Sequence, residues 1–164
     1  MKKKILIFNL LVHFVLLIFP LRFLIAENPN IYSSGSWILS IDPSHLQSGA
    51  GSNLQSTYDS PLDATQIDIH ANQNTSWVVY GRRLPSIHKN LTIYVRRTSD
   101  GKGKGLIEGG ENFIPLGEGD TALFRGIGPR RDITVQSRIN GVSINISPGA
   151  RDLQILYTLE GKNL

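Results

Sequence analysis

The chain has 164 residues, 17 of them lysine or arginine and 13 aspartate or glutamate, and it contains no cysteine. The lack of cysteine excludes disulfides, zinc–thiolate sites and thiol nucleophiles. The formal charge of +4 arises in the first 26 residues, where four basic and no acidic residues precede Glu27. The charges after that point balance, so we expect no nucleic-acid partner.

The first 26 residues predict a secretory signal peptide. Lysines occupy positions 2–4, an almost wholly apolar run follows, and the small Ala26 precedes a polar stretch. An uncleaved membrane anchor is the alternative, because the apolar run approaches the ~20 residues that span a bilayer. We therefore predict a secreted or cell-surface protein that meets a membrane only through this segment, if it is not removed.

The remainder predicts a flexible lead-in over residues 27–36 and a single domain over residues 37–164. The lead-in is polar and contains Pro29 and Gly35. Residues 37–42, with Trp37, Leu39 and Ile41 on one face, predict the first strand. Residues 43–65 are polar with little periodicity and predict a long loop.

The middle of the chain predicts a series of short strands. Residues 66–71, 76–83 and 91–98 alternate between apolar and polar side chains. The glycine-rich residues 106–131 predict two further strands, around residues 112–116 and 121–126.

The last third carries the clearest alternation. Residues 132–139 predict a strand, and Asn140 with Gly141 predicts a two-residue hairpin turn, because both tolerate positive φ. Residues 142–147 would return as its partner, and Pro148 with Gly149 predicts a type II turn. The final strand, residues 153–161, places four apolar side chains on one face: Leu153, Ile155, Tyr157 and Leu159.

No stretch after residue 26 has sustained helical periodicity. About eight or nine short alternating strands with turn signals between them predict an all-β fold, an immunoglobulin-like antiparallel β-sandwich.

Candidate catalytic and metal-binding patterns are weak. His45, His70 and His88 lie far apart, with no partner at metal-ligand spacing. Four carboxylates in a glycine-rich stretch invite a calcium loop or a glycosidase pair, but their spacing matches no defined calcium loop: Glu108, Glu111, Glu118 and Asp120. No nucleophile-elbow or P-loop motif occurs. We therefore predict no catalytic, cofactor or metal site.

Basic and aromatic residues offer two binding alternatives. Basic pairs recur at predicted strand ends and loops, where they could hold an anionic polysaccharide or only protect strand edges: Arg82–Arg83, Arg96–Arg97, Lys102 with Lys104, and Arg130–Arg131. Trp37, Trp77 and the tyrosines could stack on sugars, but both tryptophans lie in alternating strands, which favours packing in the core.

The opening stretch at residues 37–41, WILSI, and the closing stretch at residues 133–159, ITVQSRINGVSINISPGARDLQILYTL, resemble exported bacterial surface proteins of the spore coat protein U and fimbrial-subunit-like type. The resemblance lies mainly in the closing portion. It implies an immunoglobulin-like sandwich that assembles into surface fibres by sharing strands. It also implies that the four apolar residues of the final strand are read by a chaperone or a neighbouring subunit. The lack of cysteine departs from the many fimbrial subunits that carry a disulfide.

These observations predict a non-catalytic structural or adhesive protein, a fibre or surface-layer subunit that pairs with itself or other surface subunits through edge strands. The alternative is a monomeric extracellular polysaccharide-binding module. The two differ in oligomeric state and in glycan binding.

Overall fold

The structure is a computed structural model that describes residues 28–85, 90–146 and 149–163. The predicted signal peptide, His88 and Pro148 lie outside these residues. The described part contains ten strands and one short 3₁₀-helix. The strands are β1 (Asn30–Ser34), β2 (Thr57–Asp59), β3 (Thr65–His70), β4 (Thr75–Arg83), β5 (Thr92–Arg97), β6 (Ile107–Glu108), β7 (Ile114–Leu116), β8 (Thr121–Ile127), β9 (Arg130–Asn140) and β10 (Ile155–Asn163), and the 3₁₀-helix spans Pro43–His45.

The strands form two antiparallel sheets that pack face to face. The six-stranded sheet has the order β1-β3-β9-β5-β7, with β2 also pairing with β9, and the four-stranded sheet has the order β10-β4-β8-β6. This confirms the predicted all-β sandwich. Among the described residues no helix is long and apolar enough to cross a membrane.

The main core lies between the sheets and follows from the alternation of the strands. Alternate residues of a strand point to opposite faces, so one set enters the core. The fully buried members include Ile67 and Ile69 of β3, Val79 of β4, and Ile133 and Val135 of β9. The alternation predicted for these strands is therefore confirmed.

A second, smaller cluster lies beside the main core. Tyr58, Leu91 and Val142 are its buried members, and Trp37 and Leu39 pack against it as partly buried side chains. This cluster explains why residues 37–42 alternate like a strand without being one. The side chains of Trp37 and Leu39 are held by packing, but the structure assigns no strand pairing there, so the predicted first strand is wrong.

The first strand instead lies within the predicted lead-in. Residues Asn30–Ser34 pair antiparallel with Gln66–His70 of β3, and Ile31 packs against the main core. Gly35 ends the strand with a φ of 110°, and a Cβ there would lie 2.2 Å from the Ala64 carbonyl oxygen. Only glycine fits this turn. β1 therefore lies within residues 27–36, which the sequence predicts as a flexible lead-in, and joins the six-stranded sheet.

The predicted hairpin at Asn140 and Gly141 is also wrong. Asn140 ends β9 between two neighbours, Thr57 of β2 and Thr92 of β5, so both edges of β9 are already paired. A returning strand would have no edge to join. Gly141 does adopt a positive φ of 95°, but its N–H donates to the Ser56 carbonyl oxygen at 2.9 Å. Residues 142–146 form no strand.

The final predicted strand is confirmed as β10. It pairs with β4 over nine residues, from Ile155 opposite Arg83 to Asn163 opposite Thr75. The four apolar residues predicted on one face are all partly buried and packed against core residues: Leu153, Ile155, Tyr157 and Leu159.

Candidate functional site

The four carboxylates considered for calcium each have an arginine partner. The pairs are Glu108 with Arg125, Glu111 with Arg97, Glu118 with Arg83, and Asp120 with Arg82. Among the described residues no group of three or more histidine, aspartate or glutamate side chains is arranged to hold a metal ion. The structure thus does not bring these carboxylates together.

The pairing of Arg97 anchors a loop. Its side chain is 3% exposed and contacts the carboxylates of Asp100 and Glu111. Its Nε also donates to the Gly109 carbonyl oxygen at 2.8 Å. A buried guanidinium needs such partners, since leaving it unpaired would cost several kcal/mol by the usual penalty. Arg97 therefore holds the chain after β6 to the end of β5.

The other basic pairs are spread over the molecule. Lys102 lies 2.8 Å from the Asp132 carboxylate. Arg96 donates to Gln136 and lies over the ring of Phe113. Most of the predicted anion-binding residues are thus already engaged with carboxylates, amides or rings.

The six-stranded sheet carries a second charged cluster on its outer face. Arg138 makes a bidentate ion pair with Asp59, at 2.6 and 2.7 Å, and also stacks over Phe113 at 3.8 Å from the ring centre. The hydrogen bond from Arg138 lowers the pKa of Asp59 below its usual value of 3.8.

The histidines and tryptophans have local roles. His45 and Asp42 cap the 3₁₀-helix, and His70 packs its ring against Tyr32 on the surface. Trp77 is 2% exposed and donates from Nε1 to the Gly128 carbonyl oxygen at 2.7 Å. Trp37 is partly buried in the smaller cluster. Core packing is therefore confirmed for Trp77, whereas Trp37 is buried only in part.

The outermost strands of the two sheets differ between the two sides of the sandwich. We call the side formed by β1 and β10, which contact each other, the open side, and the side formed by β6 and β7 the blunt side. Within the part of the chain that the structure describes, each of these four strands pairs with a single neighbour. On the blunt side β6 has two residues, and β7 has three with Pro115 in the middle. On the open side β1 has five residues and β10 has nine.

The open side also exposes large apolar side chains. Tyr32 of β1 is 58% exposed and Leu156 of β10 is 37% exposed. Short strands and proline protect a sheet edge from pairing with other chains, whereas long apolar edges invite it. By these criteria the blunt side is protected and the open side is not.

A groove crosses the outer face of the four-stranded sheet. It holds about 450 Å³ and is lined by residues from all four strands, including Val78 and Tyr80 of β4, Glu108 of β6, Arg125 of β8 and Glu160 of β10. We call it the outer groove. Of these residues, the sequence pointed only to Glu108 and, as one of the tyrosines, to Tyr80. The others lie in separate strands and meet only through the strand register, so no local motif could have revealed them.

The polar groups of the outer groove are held in place by one another. The Tyr80 hydroxyl donates to Glu160 Oε2 at 3.1 Å, and this hydrogen bond raises the pKa of Tyr80. Arg125 donates from Nε and Nη2 to Glu108 Oε2, at 2.9 and 2.7 Å. Tyrosine, two carboxylates and a guanidinium thus face solvent together.

No family model, curated protein or solved structure matches this chain.

Proposed function

We propose that this chain is a non-catalytic secreted or cell-surface protein, a structural or adhesive subunit that assembles through the strands of its open side. The observation that carries the proposal is the nine-residue strand β10, which is paired on one edge within the described residues and lies beside the similarly placed β1. An added strand would gain main-chain hydrogen bonds along such an edge.

The contrast with the blunt side supports this choice of edge. Pro115 of β7 lies opposite Tyr94 of β5, and it has no N–H to offer a further strand. β10 contains no proline, and its exposed Leu156 offers an apolar contact to a neighbour. A second chain pairing here would cover both the edge and the apolar surface.

The apolar residues of β10 limit how assembly can occur. Tyr157 and Leu159 already pack against the chain's own core, so a neighbour would either add beside β10 or replace it. Adding beside β10 leaves the domain intact, and we take this as the mode of assembly. Replacement would expose core residues until the exchange is complete.

The test is the oligomeric state of the exported form of the full chain, measured by light scattering across concentration and salt. We expect oligomers that survive high salt, because main-chain pairing and apolar contact are screened little. The double variant Tyr32→Lys/Leu156→Lys should shift the population towards monomer by placing charges on both edges.

Leu62→Lys is the matched control. Leu62 is 58% exposed, as Tyr32 is, but lies outside the strands. It should leave the oligomers unchanged. A wild-type chain that stays monomeric at all concentrations would contradict the proposal and favour the alternative, a monomeric polysaccharide-binding module. Binding to an anionic glycan through the basic pairs would then be tested by its sensitivity to salt.

A further inference from the structure

The outer groove is large enough to hold a small ligand. Its volume of about 450 Å³ lies within the range of roughly 300–1,000 Å³ that small-molecule sites occupy. Its floor is the hydrogen-bonded ladder of four strands, which keeps the lining side chains at fixed separations. The groove is therefore a preformed surface.

The strand register arranges the polar groups in one row. Glu160 lies opposite Val78, Val78 opposite Arg125, and Arg125 opposite Glu108. Three interstrand spacings separate the ends of this row, which gives a length of roughly 14 Å. An extended ligand could thus contact both terminal carboxylates at once.

The hydrogen bonds within the row leave acceptor atoms that a ligand can use. Arg125 is 71% exposed, and both of its hydrogen bonds to Glu108 go to Oε2, so neither uses Oε1. The Tyr80 hydroxyl donates to Glu160 and still carries acceptor lone pairs. The row therefore presents donors and acceptors in close alternation, fixed by their own contacts.

The paired charges of Arg125 and Glu108 disfavour simple ions at their end of the row. An anion attracted to Arg125 would lie close to the Glu108 carboxylate, and a cation attracted to Glu108 would lie close to Arg125. A neutral ligand whose groups both donate and accept avoids both conflicts. The half-exposed Leu106 and the partly buried Val78 and Ile127 add apolar surface for C–H groups.

We propose that the outer groove binds a neutral oligosaccharide, whose hydroxyls contact Tyr80, Glu108, Arg125 and Glu160. Each sugar hydroxyl can donate to a carboxylate or to the Tyr80 oxygen and accept from the Arg125 guanidinium. The apolar ring faces of the sugar lie against Val78 and the Tyr80 ring. This inference goes beyond assembly through the open side and does not depend on it.

The test uses the exported full chain on an array of neutral oligosaccharides of glucose, mannose, xylose and N-acetylglucosamine, with sulfated and amino-sugar oligomers on the same array. We expect binding to a neutral member, measured then by titration calorimetry. Arg125→Gln and Tyr80→Ala should each weaken it about tenfold or more, the first because it removes hydrogen bonds from a charged donor and the second because it removes both a hydrogen bond and the ring against which the sugar lies.

Arg138→Gln is the matched control, because it removes an exposed bidentate arginine–carboxylate pair from the other sheet. It should bind as the unchanged protein does. Far-UV circular dichroism checks that each variant folds, and amide shift mapping on the unchanged protein should place the sugar at Val78 and Arg125 without any substitution.

Three results would overturn the inference. One is no binding of any neutral oligosaccharide at millimolar concentration. Another is binding of the sulfated or amino-sugar oligomers alone. The third is an equal loss of affinity in Arg138→Gln. None of these results bears on the oligomeric state, so assembly and sugar binding are tested independently of each other.

Discussion

The open and blunt sides of the sandwich differ in how far their outermost strands are protected from pairing with other chains. Every sheet that does not close into a barrel has two outermost strands with unpaired main-chain groups. On the blunt side the chain uses two- and three-residue strands, with Pro115 in one of them. On the open side it places a nine-residue strand with an exposed leucine. The difference teaches that protection from pairing is local, and that an unprotected edge on such a molecule is a candidate for function.

The largest expected effect on stability comes from shortening one apolar side chain on each side of the sandwich. Ile107 of β6 is 8% exposed, and Ile107→Ala should lower the free energy of unfolding by about 2–4 kcal/mol through the cavity it leaves. Leu159→Ala in β10 should cost less, about 1–2 kcal/mol, because Leu159 is only partly buried. Urea unfolding of both variants measures the difference. Equal losses would show that β10 is packed as firmly as the blunt side.

A smaller effect is expected from adding one methyl group next to the blunt side, at Gly126 of β8, which lies opposite Ile107 of β6, and one on the open side. In Gly126→Ala the new Cβ would lie 2.5 Å from the Trp77 ring, which is held by its hydrogen bond to Gly128. We expect a loss of about 1–3 kcal/mol from overpacking, seen as a lower thermal midpoint.

Gly161→Ala is the matching change on the open side. Its Cβ would meet Pro29, 2.1 Å away, in a segment that precedes β1 and has no strand pairing of its own. Because that segment has no strand pairing, we expect it to shift and the loss to stay below about 1 kcal/mol. A loss equal to that of Gly126→Ala would indicate that Pro29 is fixed and would remove this difference between the sides.

The smallest effect is expected away from both sides, at Asp59 on the outer face of the six-stranded sheet. Arg138 lowers the pKa of Asp59 below 3.8, so the folded state favours the ionised form. The stability from this pair is therefore present above about pH 4 and is lost as the pH falls through the lowered pKa. Asp59→Asn should reduce stability at pH 7 by less than about 1 kcal/mol, the usual value for an exposed pair.

The measurement is urea unfolding from pH 7 down to pH 2.5. Asp59→Asn should flatten the acid-induced loss of stability relative to the unchanged protein. Parallel pH profiles for the two proteins would contradict the assignment.

The sequence could predict the strands whose alternation reflects burial between two sheets. Ile67 with Ile69 and Ile133 with Val135 alternate because one face of each strand enters the core, and both strands are where the pattern placed them. The alternating pattern predicted a strand wrongly where side chains are partly buried but the main chain pairs with no other strand. Trp37 and Leu39 are partly buried without a strand.

Turn signals were reliable for local conformation and unreliable for topology. Gly141 adopts the positive φ that its motif predicts. Whether a hairpin follows depends on whether β9 has a free edge, and Thr57 and Thr92 already occupy both edges. That information lies in distant strands, so no local pattern contains it.

The candidate sites failed for a similar reason. Glu118 pairs with Arg83 and Glu111 with Arg97, and the sequence separates the partners into an acidic stretch and several basic pairs. Their mutual neutralisation appears only once the strands are in place. The outer groove likewise depends on the register that aligns Glu160, Val78 and Arg125.

The pairing of β10 with β4 has a consequence for the order of folding. Leu159 lies opposite Val79, 80 positions earlier in the chain, whereas Val79 meets its other neighbour, Phe124, after 45 positions. Contacts between distant residues form slowly because a long loop must close first. As the chain emerges from its N-terminal end, β4 therefore has β8 beside it well before β10 arrives. During that interval the edge of β4 that β10 will later occupy is exposed. The rate at which β10 pairs with β4 therefore sets how long a newly made chain can pair with other chains at this edge.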